Sequence, residues 1–248
     1  MKVLQINNWS GRIKDGLSRF IAEGDYDVVC MQEAVWDRNQ TGFLDYFVDT
    51  VDKIKELGGF EYDFRTSNYG ISILNGAAIL EWGNVIISKT SFKQTEEKTI
   101  LREYGLATDI SSFNENVVDH RYTAQKVVFE NGLILVNYHG YWEKDPMGSD
   151  TSTKCMKAVA DMIRNESSPV VMCGDLNVVS EAPCMRELDF LTDLTAINKV
   201  KTTLRNVRFV KDVACDHILV NDEVKCENFR VIDAPISDHR ALAVDVTV

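Results

Sequence analysis

One pattern constrains this chain more than any other: short, unbroken apolar runs bordered by carboxylate, amide or imidazole side chains. Val28-Val29-Cys30-Met31 ends in Gln32-Glu33, and Val170-Val171-Met172-Cys173 ends in Gly174-Asp175-Leu176-Asn177. Runs without polar alternation are those of strands covered on both faces. Ile134-Leu135-Val136, leading into Asn137-Tyr138-His139, and Ile218-Leu219-Val220, preceded by Asp216-His217, read the same way. Val3-Leu4-Gln5-Ile6 ends in Asn7-Asn8-Trp9, and Ser237-Asp238-His239 stands before the final run Leu242 to Val248.

Amphipathic helices lie between the runs. Ile13, Leu17, Phe20 and Ile21 share a helical face that Gly24 ends; Phe43, Phe47, Val51 and Ile54 repeat the pattern, and so do Met156, Val159, Ala160 and Ile163 before Pro169. From Phe60 to Ser88 the signal changes to short alternating strands with Gly and Asn turns, which suits antiparallel pairing. The reading is an α/β chain with mixed sheets and helices outside, organised as one domain over residues 1–248.

Composition narrows the setting. At 45% hydrophobic and 26% charged, the 248 residues are those of an ordinary globular chain, and no stretch approaches the ~20 apolar residues of a membrane span. The N-terminus turns polar too early for a signal peptide. None of the six cysteines forms a C-x-x-C pair, so no structural zinc is expected, all six are read as reduced, and the compartment is read as cytoplasmic. The net charge of −11 argues weakly against a nucleic-acid partner, because the local field at a site outweighs the total.

In a mixed sheet the start of one strand lies beside the end of its antiparallel neighbour. Polar residues at strand ends far apart in the chain can therefore meet: Asn7, Glu33, Asp175, Asn177, Asp216, Asp238 and two of the four histidines. Four carboxylates cannot share a small site in ionised form without a cation. Oxygen donors without cysteine select a hard ion, Mg²⁺ first, with Mn²⁺ as a substitute.

These motifs, taken together and in this order, resemble the endonuclease/exonuclease/phosphatase superfamily, which includes deoxyribonuclease I, AP endonucleases, tyrosyl-DNA phosphodiesterases, inositol polyphosphate 5-phosphatases and neutral sphingomyelinases. The resemblance covers nearly the whole chain and is specific for the superfamily but not for a substrate. It implies a deoxyribonuclease I-like four-layer α/β sandwich, two mixed β-sheets flanked by helices, and divalent-metal phosphoester hydrolysis. It also implies residue roles. Glu33 is the principal metal ligand with Asn7 beside it, and Asp238 completes the metal site. Asp175 activates the attacking water, and Asn177 donates to the transition state. His239 is the catalytic histidine, held in one tautomer by Asp216, and His139 contacts the scissile phosphate or protonates the leaving group. Two histidines serve as controls: His217 should point to the opposite face from Asp216, and His120 reads as a surface residue.

Substrate features are less sharp. Lys199, Lys201, Arg205, Arg208 and Lys211 fall in an acid-free stretch upstream of Asp216; Arg205 and Arg208 are read as phosphate-backbone contacts. Tyr141 and Trp142 begin a loop after His139 and are candidates for stacking on a base, as is Trp9; Trp36 suits either packing or contact. The family's Thr-x-x-Arg is present as Thr202-Thr203-Leu204-Arg205, while its Arg-x-Asp approach is replaced by Ala214-Cys215-Asp216. The leading expectation is a metal-dependent phosphodiesterase acting on nucleic acid or a nucleic-acid adduct, monomeric and without an obligate protein partner or membrane insertion. Hydrolysis of a small phosphoester, such as an inositol phosphate or phospholipid headgroup, is the alternative. A binding module without activity on the same fold is the reading from another class.

Overall fold

The computed structural model describes residues 1–73, 76–107, 120–205 and 213–248. The apolar runs become strands of two mixed sheets. The first has the order β12 (Lys225–Ile232), β13 (Ala241–Thr247), β1 (Lys2–Asn7), β2 (Val28–Asp37), β4 (Ala78–Ser88), β3 (Tyr62–Ile73), β6 (Gly105–Ala107). The second has the order β10 (Thr192–Asp193), β11 (Asp216–Val220), β9 (Val170–Asp175), β8 (Ile134–Tyr138), β7 (Tyr122–Phe129), β5 (Phe92–Leu101). β1–β2 and β8–β9 are parallel, and β9–β11 and β1–β13 antiparallel.

Because side chains alternate along a strand, each run serves two hydrophobic layers. On β2, Val28 and Cys30 face the second sheet, where Val171, Cys173 and Ile218 meet them; Val29 and Met31 face outward. That outer face is covered by α1 (Gly16–Gly24) and α2 (Val51–Gly58) through Leu17, Ile21, Val51 and Ile54. On the far side, Val170 and Met172 of β9 pack against Cys155, Met156 and Val159 of α3 (Asp150–Ala160). The layers run helix, sheet, sheet, helix, which is why these strands read as unbroken apolar segments. No helix among the described residues is long and apolar enough to cross a membrane.

Two expectations change. Phe43 and Phe47 do not extend α2: they flank a 3-10 turn, Leu44–Tyr46, and Phe47 is exposed. The helix starts later, where the Thr50 hydroxyl accepts the Lys53 amide proton and Asp49 accepts the amides of Asp15 and Ser18, tying the segment to α1. The Phe60–Ser88 region forms two long antiparallel strands, β3 and β4, rather than several short ones.

Candidate active site

The expected meeting of strand ends occurs at one edge of the sandwich. β1 and β2 run parallel, so Asn7 lies beside Gln32, and β11 begins opposite the end of β9, so Asp216 faces Asp175. Glu33 is not at a strand end. It sits in a bulge of β2 where the register to β4 slips between Met31 and Ala34, with φ 51°. The bulge breaks the alternation and turns the Glu33 side chain into the cavity. Asn177 also has positive φ, 57°, in a turn that passes so close to Gly140 that a Cβ there would lie 2.0 Å from the Leu176 carbonyl oxygen.

Asn7 ties the two halves together. Its amide nitrogen donates to Asp175 Oδ2 at 2.9 Å and to Glu33 Oε1 at 3.2 Å, and its Oδ1 accepts the Trp9 backbone N–H. The oxygen expected to ligate a metal is thus engaged by backbone, because the turn after β1 folds back on it. His239 Nδ1 lies 2.8 Å from Asp216 Oδ2, and its Nε2 lies 3.8 Å from Asp175 Oδ2. His139 Nε2 lies 3.7 Å from the same Asp175 oxygen. Asn177 donates its backbone N–H to Asp175 Oδ1 and a side-chain N–H to the Gly140 carbonyl.

Residues that sequence reasoning passed over hold this arrangement. Gln5 donates to Asp216 Oδ1 at 3.0 Å and to Gln32 Oε1 at 2.9 Å; Gln32 in turn donates to Asn137 Oδ1 at 2.7 Å. The Thr203 hydroxyl accepts the backbone N–H groups of Cys215 and Asp216, both at 3.1 Å. All of these groups are buried. The one available signal was polar residues interrupting apolar runs, as Gln5 interrupts Val3-Leu4-Gln5-Ile6.

The electrostatics follow from burial and charge. Burial alone would lower the His239 pKa, but the carboxylates of Asp216 and Asp175 outweigh it and push it up to about 10. Burial opposes ionisation of Asp216 too, yet the imidazolium holds its carboxyl below the usual value. The pair is therefore an ion pair. Asp238 is shifted the other way, raised by burial with the Glu33 carboxylate adding to the effect. Cys215 lies in the cavity wall with its thiol pushed well up by burial and then by the charges of Asp175 and Asp216.

The cavity holds about 620 Å³. Glu33, Asp175, Asn177, Asp238, His139 and His239 line its floor, with Trp9 and Trp142 among its walls. Asp216 is completely buried behind His239. Trp142 is 54% exposed, and the Arg12 guanidinium lies over the Trp9 ring at 5.2 Å. Tyr141 is not part of the wall. It packs against the core and edge-on to Tyr122 at 5.4 Å, the turn from His139 having directed it inward. Arg205 also departs from expectation: its guanidinium is ion-paired with Asp233, which Arg240 also binds at 3.2 Å, and Arg205 does not line the cavity. Arg208 lies outside the described residues. Trp36 is a core residue. His217, as expected, turns away from the cavity, to Asp193 at 3.0 Å and the Val178 carbonyl at 2.9 Å. His120 is a correction. It is buried in the cavity wall, packed against Trp82 and Tyr122 with ring centroids at 4.8 and 4.3 Å, because these two rings, one from β4 of the first sheet and one from β7 of the second, cover it.

A family model described as the Endonuclease/Exonuclease/phosphatase family matches residues 12–239. The chain belongs to this family. Solved structures agree on the fold. An endonuclease/exonuclease/phosphatase family protein from Leptotrichia buccalis C-1013-b is 19% identical, with each chain covered completely and a TM-score of 0.68. D. rerio TDP2, humanized by 14 mutations, is 15% identical over 100% of this chain and 99% of its own, with a TM-score of 0.68. The mannosyl-6-phosphatase Bt3783 of Bacteroides thetaiotaomicron VPI-5482 is 13% identical over the whole of both chains, with a TM-score of 0.65. No curated protein matches the chain.

Members of the endonuclease/exonuclease/phosphatase family are divalent-metal-dependent phosphoesterases. The residues present here fit such an ion. Glu33 and Asp238 are oxygen donors that repel one another across the cavity, and a cation between them removes that cost.

Proposed function

We propose that this chain is a divalent-metal-dependent phosphodiesterase that hydrolyses a phosphodiester of a nucleic acid or of a nucleic-acid adduct, using an activated water. The observation that carries this reading is the juxtaposition of Asp175 with the His239–Asp216 ion pair on one side and the facing carboxylates Glu33 and Asp238 on the other.

Glu33 and Asp238, with Asn7 beside them, are the residues that would hold Mg²⁺ or Mn²⁺, which supplies Lewis acidity to the phosphoryl oxygens. Asp175 orients the attacking water and takes its proton, its carboxylate held by the Asn7 amide and the Asn177 backbone N–H. His239, protonated and fixed through Nδ1 by Asp216, presents Nε2–H to a nonbridging oxygen. Asn177 spends one amide N–H on Gly140 and retains the other for the same charge. His139, which also lines the cavity, is assigned to the leaving-group side in this reading. Trp142 at the mouth and Trp9 in the wall offer faces on which a base can stack, worth roughly 1–3 kcal/mol per base.

A second reading, hydrolysis of a small phosphoester, is favoured by Arg205. A guanidinium neutralised by Asp233 in a chain of net charge −11 is a poor track for a polymer backbone. The mannosyl-6-phosphatase shows that the fold accommodates such substrates.

A panel separates the two. Single- and double-stranded DNA, RNA, abasic DNA, 5′-tyrosyl DNA, phosphoinositides, sphingomyelin and a phosphosugar are incubated with Mg²⁺, Mn²⁺ or chelator, with His239→Ala as control. We expect turnover of a nucleic-acid substrate that chelator and His239→Ala both abolish. Turnover confined to small phosphoesters would overturn the substrate assignment, and full turnover by His239→Ala would overturn the mechanism.

A further inference from the structure

Cys215 has no part in the reaction described above, yet it belongs to the cavity wall. One donor atom each from Asp175, Cys215, Asp216 and His239 lie within 4.8 Å of one another. This cluster differs in chemistry from the Glu33–Asp238 pair: it contains a thiol and an imidazole, so it selects a borderline or soft ion rather than a hard one. We propose that Cys215, His239 and Asp175 form a second cation site, for Zn²⁺ or a similarly thiophilic divalent ion, whose occupation shuts the active site.

Access and spacing both support it. Cys215, Asp175 and His239, all buried, border the cavity, so an ion in it can engage the three side chains and retain an open position for water. Ligands at zinc distances of 2.0–2.3 Å in a tetrahedron stand roughly 3.3–3.8 Å apart. His239 Nε2 and Asp175 Oδ2 are 3.8 Å apart, and Cys215 Sγ lies within 4.8 Å of a donor atom of each. The fully buried Asp216 keeps its hydrogen bond to His239 Nδ1, which leaves Nε2 facing the cavity and orients the ring as a carboxylate behind a zinc-bound histidine does. No such thiolate is offered to Mg²⁺, which takes oxygen ligands in near-octahedral geometry.

Binding replaces the S–H bond of Cys215 and the Nε2–H bond of the His239 imidazolium by bonds to the metal, and both protons leave to buffer. The ion then engages the Asp175 oxygen that faces the attacking water and the His239 nitrogen that faces the phosphoryl group. Inhibition thus rests on the roles proposed for Asp175 and His239, whereas binding itself does not.

The probe is Co²⁺, which reports thiolate ligation by an intense charge-transfer band in the near ultraviolet. The whole protein in excess Mg²⁺ is titrated with Co²⁺, then with Zn²⁺. We expect a saturable band in the wild type that Zn²⁺ displaces and that is absent from Cys215→Ala and from Cys215→Ser, the latter keeping the side-chain volume while removing the soft donor. With any substrate the panel yields, the Zn²⁺ concentration that halves the rate should rise at least about tenfold in Cys215→Ser while Mg²⁺-dependent turnover persists. No band in the wild type, a band undiminished in both variants, or unchanged Zn²⁺ inhibition in Cys215→Ser would overturn the proposal. The band decides binding even if the phosphodiesterase reading fails.

Discussion

Each residue of the site is defined by its partners. His239 is held between Asp216 and Asp175, and Asp175 between Asn7 and Asn177. Replacing Asp175 by Asn keeps the volume, replacing His239 by Asn shortens the side chain, and both remove the proton chemistry, so the turnover rate should fall by about 10²–10⁴-fold with the circular dichroism spectrum unchanged. Wild-type turnover in either variant would contradict the assignment. The ion pair also has a pH signature. Because the folded-state pKa of His239 is raised from 6.5 to about 10, its contribution to stability is complete below pH 6.5 and is lost as pH rises towards 10. In chelator, the melting temperature of the wild type should therefore fall more steeply between pH 7 and pH 10 than that of His239→Asn; parallel curves would count against the pair. Although the buried amides Gln5 and Gln32 were passed over, the carboxylates, the amides Asn7 and Asn177, and His139 and His239 were legible in the sequence because they border apolar runs. Thr203 and Cys215 were not, since they act only through contacts between segments that meet in the fold. His120 misled because Asp119 and Arg121 beside it in sequence gave no sign of Trp82, which covers it in space.

At the level of elements, two local departures from regular structure aim the site: the β2 bulge that carries Glu33 and the turn after β9 that carries Asn177. The strands themselves were readable from their apolar runs. The bulge was not, since nothing in Met31-Gln32-Glu33-Ala34 marks a register slip against β4, and it is set by pairing with a strand some fifty residues away. The start of α2 was misplaced for a related reason: the apolar spacing of Phe43 and Phe47 is helical, but Asp49 and Thr50 are committed to α1 and to capping. The turn after β9 can be tested at Gly140. Its backbone N–H donates to the Asp175 carbonyl at 2.8 Å, and a methyl group there collides with Leu176. Gly140→Ala should cost about 1–3 kcal/mol in urea unfolding and depress the rate by displacing Asn177. Unchanged stability and rate together would show that the turn is more tolerant than its geometry implies.

Across the whole molecule, the site is assembled by two sheets that share a polar seam as well as an apolar core. The chain of amides from Gln5 through Gln32 to Asn137 and Gln125 crosses from one sheet to the other and ends on Asp216. A buried network of this kind, in which the Gln5 Oε1 atom is left without a partner, fixes the register of the sheets against one another. Gln5→Leu should leave Asp216 Oδ1 and Gln32 Oε1 each without a donor, costing about 1–3 kcal/mol in stability and lowering the rate although Gln5 reaches no substrate. A neutral outcome in both measurements would mean that the seam is incidental. The layered α/β architecture was legible because both faces of the central strands are covered. Substrate class was less so, because the half-buried cation Arg205 is neutralised by Asp233, a partner distant in sequence.

The central claim is that residues scattered from Asn7 to His239 converge on a place for a hard divalent cation. Mn²⁺ titration followed by electron paramagnetic resonance tests it most directly, on the wild type and on Glu33→Gln, with Mg²⁺ as competitor. A saturable Mn²⁺ site that Mg²⁺ displaces and that Glu33→Gln loses, while the variant remains folded, is the predicted result; wild-type Mn²⁺ affinity in Glu33→Gln, or no saturable site in the wild type, would contradict it.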